Sequence, residues 1–288
     1  MISIIICTAK LSLISAIEVN ISKTIGVEYE LIAIDNSNSQ YSIFQAYNIG
    51  VKRSKFPILC FMHDDIIYHS IDWGCEVIKH FNSQETGMIG IGGTRFLSCI
   101  PTIWWAGGHR YFNSKTGIVC HNSIDTNRNN LNETKYNIIN PENGNHTKVA
   151  ILDGLWFCIR KDLFEKIEFD EIKYNGFHFY DLDISMQIKN LNYDIFCLFN
   201  IKIEHISSSK TDENWIKNSI IFYSKWQSNL PTSLIKMSFK QFIIVNYNAF
   251  KIGYNIYKSN NVRHPFLFLL NKSHFLKLFS YYVKSLKF

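Results

Sequence analysis

Three mainly apolar runs, separated by helix-like segments, constrain the fold more than any other feature of this chain. Ile2–Cys7 is the first, Tyr29–Ile34 the second and Pro57–Met62 the third, while Leu11–Thr24 and Ser42–Ser54 between them have helical spacing. Short apolar runs without alternation read as strands covered on both faces, as in a parallel sheet flanked by helices. The βαβαβ order therefore predicts an α/β fold with a mixed, mostly parallel sheet. In such sheets the chemistry sits beyond the C-terminal ends of the strands. The second run ends there in a polar loop, Asp35-Asn36-Ser37-Asn38-Ser39. Further strands are expected at Gly87–Ile91, around Trp104–Trp105, at Val149–Leu152 leading to Cys158–Ile159, and at Tyr193–Cys197. The stretch between Tyr111 and Lys148 is polar and Asn-rich, and reads as a long loop or an irregular insertion.

Charge divides the chain. Its 288 residues carry 30 Lys and Arg against 24 Asp and Glu, a net of +6. The 75 residues from Asn214 hold 11 of the basic groups and no acidic one, which leaves the preceding chain at −5. This shift predicts a domain of residues 1–210 and a helical, basic, aromatic extension of residues 211–288. The expected helical segments are Trp215–Ser228, Ser233–Tyr257 after a break at Pro231, and Pro265–Phe288. Three readings of the extension stand. It packs on the body as a plain helical subdomain, it docks on an anionic membrane surface through interleaved Lys, Phe, Tyr and Leu, or it binds nucleic acid. No RNA- or DNA-binding module accompanies it, so nucleic acid is not an expected partner. Seven scattered cysteines without a C-x-x-C pair argue against a disulfide framework or a structural zinc, and for a reducing compartment. Ile2–Cys7 does not read as a signal peptide, and the lack of an apolar stretch of about 18 residues predicts no spanning helix. The expected location is cytoplasmic, peripheral at the inner face of the membrane if the extension docks.

Three short clusters carry the candidate chemistry. Met62-His63-Asp64-Asp65-Ile66 follows the third run directly. Two carboxylates at the end of a parallel strand can hold a hard divalent cation that bridges protein oxygens and phosphates; alternatively one caps the next helix and the other is solvated. Gly176-Phe-His-Phe-Tyr180-Asp181-Leu-Asp183 opens the helix-like run Leu182–Asn190, with Asp181 at the expected N-cap. Capping and catalysis are compatible there, because a helix N-terminus stabilises the anion that a base must be. In Ile203-Glu204-His205-Ile206-Ser207, His205 is either a metal ligand through neutral imidazole or a structural histidine. The glycines at Gly87–Arg95 fail the dinucleotide fingerprint, since Arg95 takes the last glycine position and the segment does not follow the first strand. No phosphate-binding G-x-x-x-x-G-K-[ST] occurs. An HD-type phosphohydrolase is excluded because His63-Asp64 ends a β run, not a helix.

In order and spacing these elements resemble family 2-type glycosyltransferases of the GT-A fold, a Rossmann-like fold of nucleotide-diphospho-sugar transferases, and among them a bacterial subgroup with a His-Asp-Asp signature. The resemblance spans residues 1–230. It rests on Ile2–Thr8, Asp35-Asn36-Ser37, and Tyr47-Asn48-Ile-Gly50 ahead of His63-Asp64-Asp65. It continues through Trp73-Gly74, Gly92-Gly93-Thr-Arg95-Phe, Trp104–Gly108, Asp153-Gly154-Leu155, Gly176–Asp183, His205, and Lys225-Trp226 with Leu230-Pro231. Each motif is weak alone; together they are specific.

The resemblance implies roles. Asp65 and His205 would hold Mn²⁺ or Mg²⁺ beside the donor diphosphate, with Asp64 on ribose or sugar. His63 stands where the family motif has its first Asp, which leaves the division of ligand duty between the two carboxylates open. Thr8 and Asp35 would contact uracil and ribose, and Asn48 and Arg95 would join them on the donor side. Asp181 would be the base with Asp183 as its alternate, Tyr180 replacing the family's Glu. Trp104, Trp105, Asp153, Gly154 and His178 would face the acceptor; for the tryptophans, stacking on sugars and core packing are equally open. The implied activity moves a sugar from a nucleotide-sugar donor, UDP-linked, to a saccharide or lipid-linked saccharide in bacterial surface polysaccharide or glycoconjugate synthesis. A cation would neutralise the departing diphosphate while a carboxylate takes the acceptor proton. One base without a nucleophile implies inversion. The alternatives are a metal-dependent nucleotide-diphosphate hydrolase and a non-catalytic nucleotide-sugar-binding protein.

Overall fold

The three apolar runs become adjacent parallel strands. β1 (Ile2–Thr8) is followed by helix α1 (Ile14–Thr24), β2 (Tyr29–Asp35), α2 (Ile43–Arg53) and β3 (Ile58–Met62), and β1 pairs with β2 on one side and β3 on the other. Ser42 starts α2 with a capping box, its hydroxyl accepting from the Gln45 N–H and the Gln45 side chain accepting from the Ser42 N–H. The computed structural model describes residues 1–108, 117–128, 130–207 and 211–263.

The chain continues as β4 (Ile66–Tyr68), α3 (Trp73–Phe81), β5 (Thr86–Gly90), β6 (Gly92–Thr94), β7 (Phe96–Leu97), β8 (Val119–Asn127), β9 (Asn130–Ile139), β10 (His146–Lys148), β11 (Ile151–Leu152) and β12 (Trp156–Arg160). After these come α4 (Tyr180–Asn190), β13 (Asp194–Leu198), β14 (Ile203–Ser207), α5 (Glu213–Lys225), β15 (Thr232–Ser233) and α6 (Phe239–Ser259). The central sheet has the order β10-β13-β5-β12-β3-β1-β2, with β12 and β10 antiparallel to their neighbours and the others running one way. Its two faces alternate as a pleated strand requires. Ile5, Leu59, Phe61 and Phe157 pack into one core, and Ile4, Ile6, Cys60, Met62 and Cys158 into the other. This is the mixed, mostly parallel sheet that the runs predict.

A second sheet, β11-β6-β8-β14-β4 with β9 alongside β8, lies past the C-terminal end of β3. It corrects two expectations. The Asn-rich stretch is not a loop: residues 119–139 include the β8–β9 hairpin, registered from His121 against Ile139 to Thr126 against Thr134. Its polar side chains stay in strands because they satisfy one another, Ser123 donating to Asp125 at 2.7 Å and Thr126 to Glu204 at 2.7 Å, while Asn122 donates to the Ile201 carbonyl at 2.7 Å. The segment around Trp104 is not a strand either. It turns into a short 3₁₀ helix, Ala106–Gly108, with the Trp104 indole N–H spent on Asp153.

At α4 the expected N-cap also moves. Phe179, in the left-handed region at φ 70°, precedes the helix, and Asp181 is its second residue rather than its cap. From Asn214 onward the chain forms α5 and α6. Trp215, Phe222, Trp226 and Tyr257 enter the larger core, and Phe242 and Val245 pack with Phe96 and Val119. The helix expected at 265–288 lies outside the described residues, as do 111–116 and 129 of the Asn-rich stretch. No described helix is long and apolar enough to cross a membrane.

Asp183 joins α4 to α5. Its carboxylate, in a residue 1% exposed, accepts from the Tyr174 hydroxyl (3.0 Å), the Trp226 indole (2.8 Å) and the Gln187 amide (2.8 Å), and pairs with Lys225 (2.9 Å). Removing one partner of a buried pair leaves the other charge uncompensated. Asp183→Ala is expected to cost about 3–5 kcal/mol of unfolding free energy, and urea denaturation of the two proteins checks it. A variant that unfolds at the wild-type midpoint refutes this assignment.

Candidate active site

The turn after β3 and the middle of β14 bring three ligand atoms together. His63 Nδ1 lies 3.4 Å from His205 Nε2, His205 Nε2 lies 3.3 Å from Asp65 Oδ1, and His63 Nδ1 lies 4.0 Å from that oxygen. Around an ion with bonds of about 2.1 Å, neighbouring ligand atoms sit about 3.0 Å apart at an octahedral angle and about 3.4 Å at a tetrahedral one. Two of the three edges match. Asp65 Oδ1 is buried, and its nearest partner is His205 Nε2 at 3.3 Å, a contact that a protonated His205 or a shared cation would satisfy. Burial pushes the Asp65 carboxyl up, but His205, His63 and Arg128 outweigh it and hold the group below the ordinary carboxylate range, as an anion. His63 is held neutral by burial and by His205, the form in which imidazole binds metal. For His205, burial acts downward, and the hydrogen bond and charge of Asp65 reverse the sign to raise it.

The tautomer of His63 follows from Tyr180. The Tyr180 hydroxyl is 2.9 Å from the Gly154 carbonyl and 2.8 Å from His63 Nε2. A carbonyl only accepts, so the phenol proton goes to Gly154 and the phenol oxygen accepts from His63 Nε2–H. That leaves Nδ1 bare, facing His205 and Asp65. Burial keeps Tyr180 a phenol, its pKa well above the ordinary value. The approach is close enough to require glycine, because a Cβ on Gly154 would lie 2.2 Å from the Tyr180 oxygen.

His63 and His205 open onto a cavity of about 1040 Å³ whose lining includes Trp104, Trp105, Asp153, Gly154, His178 and Asp181. Trp104 Nε1–H donates to Asp153 Oδ1 at 3.0 Å, which leaves the indole face along the wall. His178 lines the same cavity and pairs with Asp212 at 3.4 Å. Asp181 is the buried acid of the site: desolvation, then the charge of Asp153, push its pKa up to about 8. A carboxyl with that pKa is a stronger proton acceptor than an ordinary Asp, provided the pH is high enough to ionise it.

The donor-side residues divide. At the ends of the parallel strands, Thr8 stands beside Asp35 in register and donates to Asp64 Oδ2 at 2.6 Å, so these three share one edge. Asp35 is held low by the Ser37 N–H and hydroxyl. Asn48 and Arg95 are not brought to the cavity. Asn48 exchanges hydrogen bonds with the Phe169 carbonyl (2.8 Å) and N–H (3.2 Å), and Arg95 pairs with Glu142 at 3.0 Å. Asp183 also turns away. Residues two apart on an α-helix point about 200° apart, so Asp181 lines the cavity while Asp183 meets Lys225 and Trp226.

A profile of the glycosyltransferase-like family matches residues 3–229, most of the chain. The chain belongs to that family. Among solved structures it is similar to the mannosyltransferase PcManGT from Pyrobaculum calidifontis in complex with GDP-Man and Mn²⁺, at 11% identity and a TM-score of 0.51, over 86% of this chain and 69% of that one. It also matches GalNAc-T7 with UDP, GalNAc and Mn²⁺ at 14% identity and a TM-score of 0.49, over 91% of this chain but 58% of that one. No curated protein sequence matches. The fold is that of GT-A glycosyltransferases.

In this glycosyltransferase-like chain, several cavity residues escaped the sequence reading. His63 counted as a substitute for an acid, not as a ligand. His121, Asp125 and Asn137 line the cavity from the β8–β9 hairpin. His121, Ser123 and Asp125 recur every second residue, the strand period that would have exposed them. Tyr180→Phe is expected to free the His63 tautomer and weaken Mn²⁺ binding about tenfold or more, the usual cost of losing an outer hydrogen bond to a ligand. Calorimetric Mn²⁺ titration of both proteins checks it, and an unchanged affinity removes Tyr180 from the site.

Proposed function

We propose that the protein is an inverting glycosyltransferase that moves a sugar from a nucleotide-sugar donor to a hydroxyl of a saccharide acceptor, with a divalent cation held by His63, Asp65 and His205. One observation carries this reading: two imidazole nitrogens and a buried carboxylate oxygen converge where His63 and His205 line a cavity that also holds the raised carboxyl of Asp181. His63, His205 and Asp65 would together hold a first-row divalent ion such as Mn²⁺. Such an ion supplies charge neutralisation for the departing diphosphate. The strand-end edge formed by Thr8, Asp35 and Asp64 supports a place for the nucleoside, outside the cavity and next to it. Trp104 and Trp105 supply flat faces against which sugar rings stack.

In the transfer step, the acceptor oxygen forms its bond to the anomeric carbon as the bond from that carbon to the donor phosphate breaks. The acceptor's proton passes to the Asp181 carboxylate, and the nucleoside diphosphate leaves with the bonding electrons. Asp181 is read as the single base, with Asp153 beside it engaged by the Trp104 indole, a reading that favours attack from one side and inversion. The finer assignments of a UDP donor and a lipid-linked acceptor follow the resemblance, and the donor assay below addresses the first of them.

A panel of nucleotide sugars, assayed for transfer with Mn²⁺ and with EDTA, is expected to show Mn²⁺-dependent product with at least one donor. Asp65→Asn is expected to lose both transfer and Mn²⁺ binding. Nucleotide release that needs no acceptor at any donor would favour hydrolysis instead. Asp181→Asn is expected to bind donor but lose about two to four orders of magnitude in transfer, the usual contribution of a positioned base. In the wild type the base exists above its pKa, so kcat/KM is expected to rise with pH toward a plateau above about 8. Asp153→Asn removes a charge that raises Asp181, so the limb shifts to lower pH; a limb at ordinary carboxylate pH in the wild type rules out Asp181 as the base.

A further inference from the structure

At the turn joining β8 to β9, Arg128 reaches back to the cation site. Its Nη2 donates to Asp65 Oδ2 at 2.5 Å and to the Ile206 carbonyl at 3.2 Å, and its Nε donates to the same carbonyl at 3.3 Å. Asp65 Oδ1 is left turned toward His205 and His63. We propose that Arg128 is a positioning residue for the cation. Anchored on the Ile206 carbonyl, it grips Oδ2 and fixes the rotation of the Asp65 carboxylate so that Oδ1 is presented to the ion. This inference rests on the metal-dependent reading of the same site.

The Asp65 backbone is already held, since the Ile206 N–H donates to the Asp65 carbonyl at 3.0 Å. That bond leaves the carboxylate's own terminal torsion unset, and such torsions are broad and roughly two-fold. Fixing it is what outer partners of a ligating carboxylate do. A guanidinium near a cation also repels it. Here the Arg128 side chain is 53% exposed, so solvent and salt screen that repulsion, while the hydrogen bond on Oδ2 is short and charge-assisted. Orientation therefore outweighs repulsion. The same contact ties the metal ligand to the hairpin, whose Asp125 and Asn137 form part of the cavity wall. Ion binding at Asp65 should then steady the hairpin as well.

The test is Mn²⁺ titration of the full chain, followed by calorimetry and by the electron paramagnetic resonance signal of the free ion. Arg128→Ala is expected to bind Mn²⁺ about tenfold more weakly, or worse. Arg128→Lys, which keeps one donor and the charge, should fall between the two. Thermal melting should show little change, because an exposed side chain at a turn is removed. Hydrogen exchange of the 119–139 hairpin should slow on adding Mn²⁺ in the wild type and not in Arg128→Ala. Equal or tighter Mn²⁺ binding by Arg128→Ala overturns this inference alone, marking Arg128 as inert or as a competitor of the ion. A wild type that binds no Mn²⁺ overturns it together with the metal-dependent function.

Discussion

The Asp183 carboxylate, buried in the core and bound by Tyr174, Gln187, Lys225 and Trp226, fixes how α4 is rotated against α5. The α4 residues that line the cavity depend on that rotation. Tyr180, three residues earlier and so on a neighbouring face of the helix, delivers its hydroxyl to Gly154 and His63. Asp181, on the far side from Asp183, faces the cavity. A carboxylate buried for structure thus sets the direction of the carboxyl we propose as the base. The two differ in surroundings: Asp183 has a cation and several donors, whereas Asp181 has an acidic neighbour and a pKa pushed up to about 8.

The proposed cation site depends on hydrogen bonds made away from the atoms that would bind the ion. Tyr180 holds the far nitrogen of His63, and Arg128 holds the far oxygen of Asp65. Both leave the near atom bare and pointing inward, which is the arrangement that lowers the ordering cost of capturing an ion. The acidic body supplies the surrounding field. Its formal charge of −5 before Asn214 favours the binding of a cation.

Much of the fold was legible because its strands are buried on both faces. Ile2–Thr8 and Ile58–Met62 read as apolar runs with no alternation, and they became the centre of the sheet. The hairpin of residues 119–139 was not legible in the same way, because its polar side chains are satisfied by neighbouring strands and not by water, as Asn122 and Thr126 show. Asn48 and Arg95 look like site residues in a list of motifs. In space they hold the 169 segment and Glu142, tasks that need a partner invisible from local sequence.

The sequence alone determined the βαβαβ order of the first three strands and two helices, the turn that carries His63-Asp64-Asp65 beyond β3, and the family to which the chain is similar. These depend on periodicity and on neighbours along the chain. Only tertiary structure decided that His63 joins Asp65 and His205, that Asp181 and not Asp183 meets the cavity, and that a turn on a hairpin reaches Asp65. Each of those joins residues far apart in sequence through a hydrogen bond or ion pair a few ångströms long. Such contacts are fixed by how packed elements rotate against one another, which no local pattern encodes.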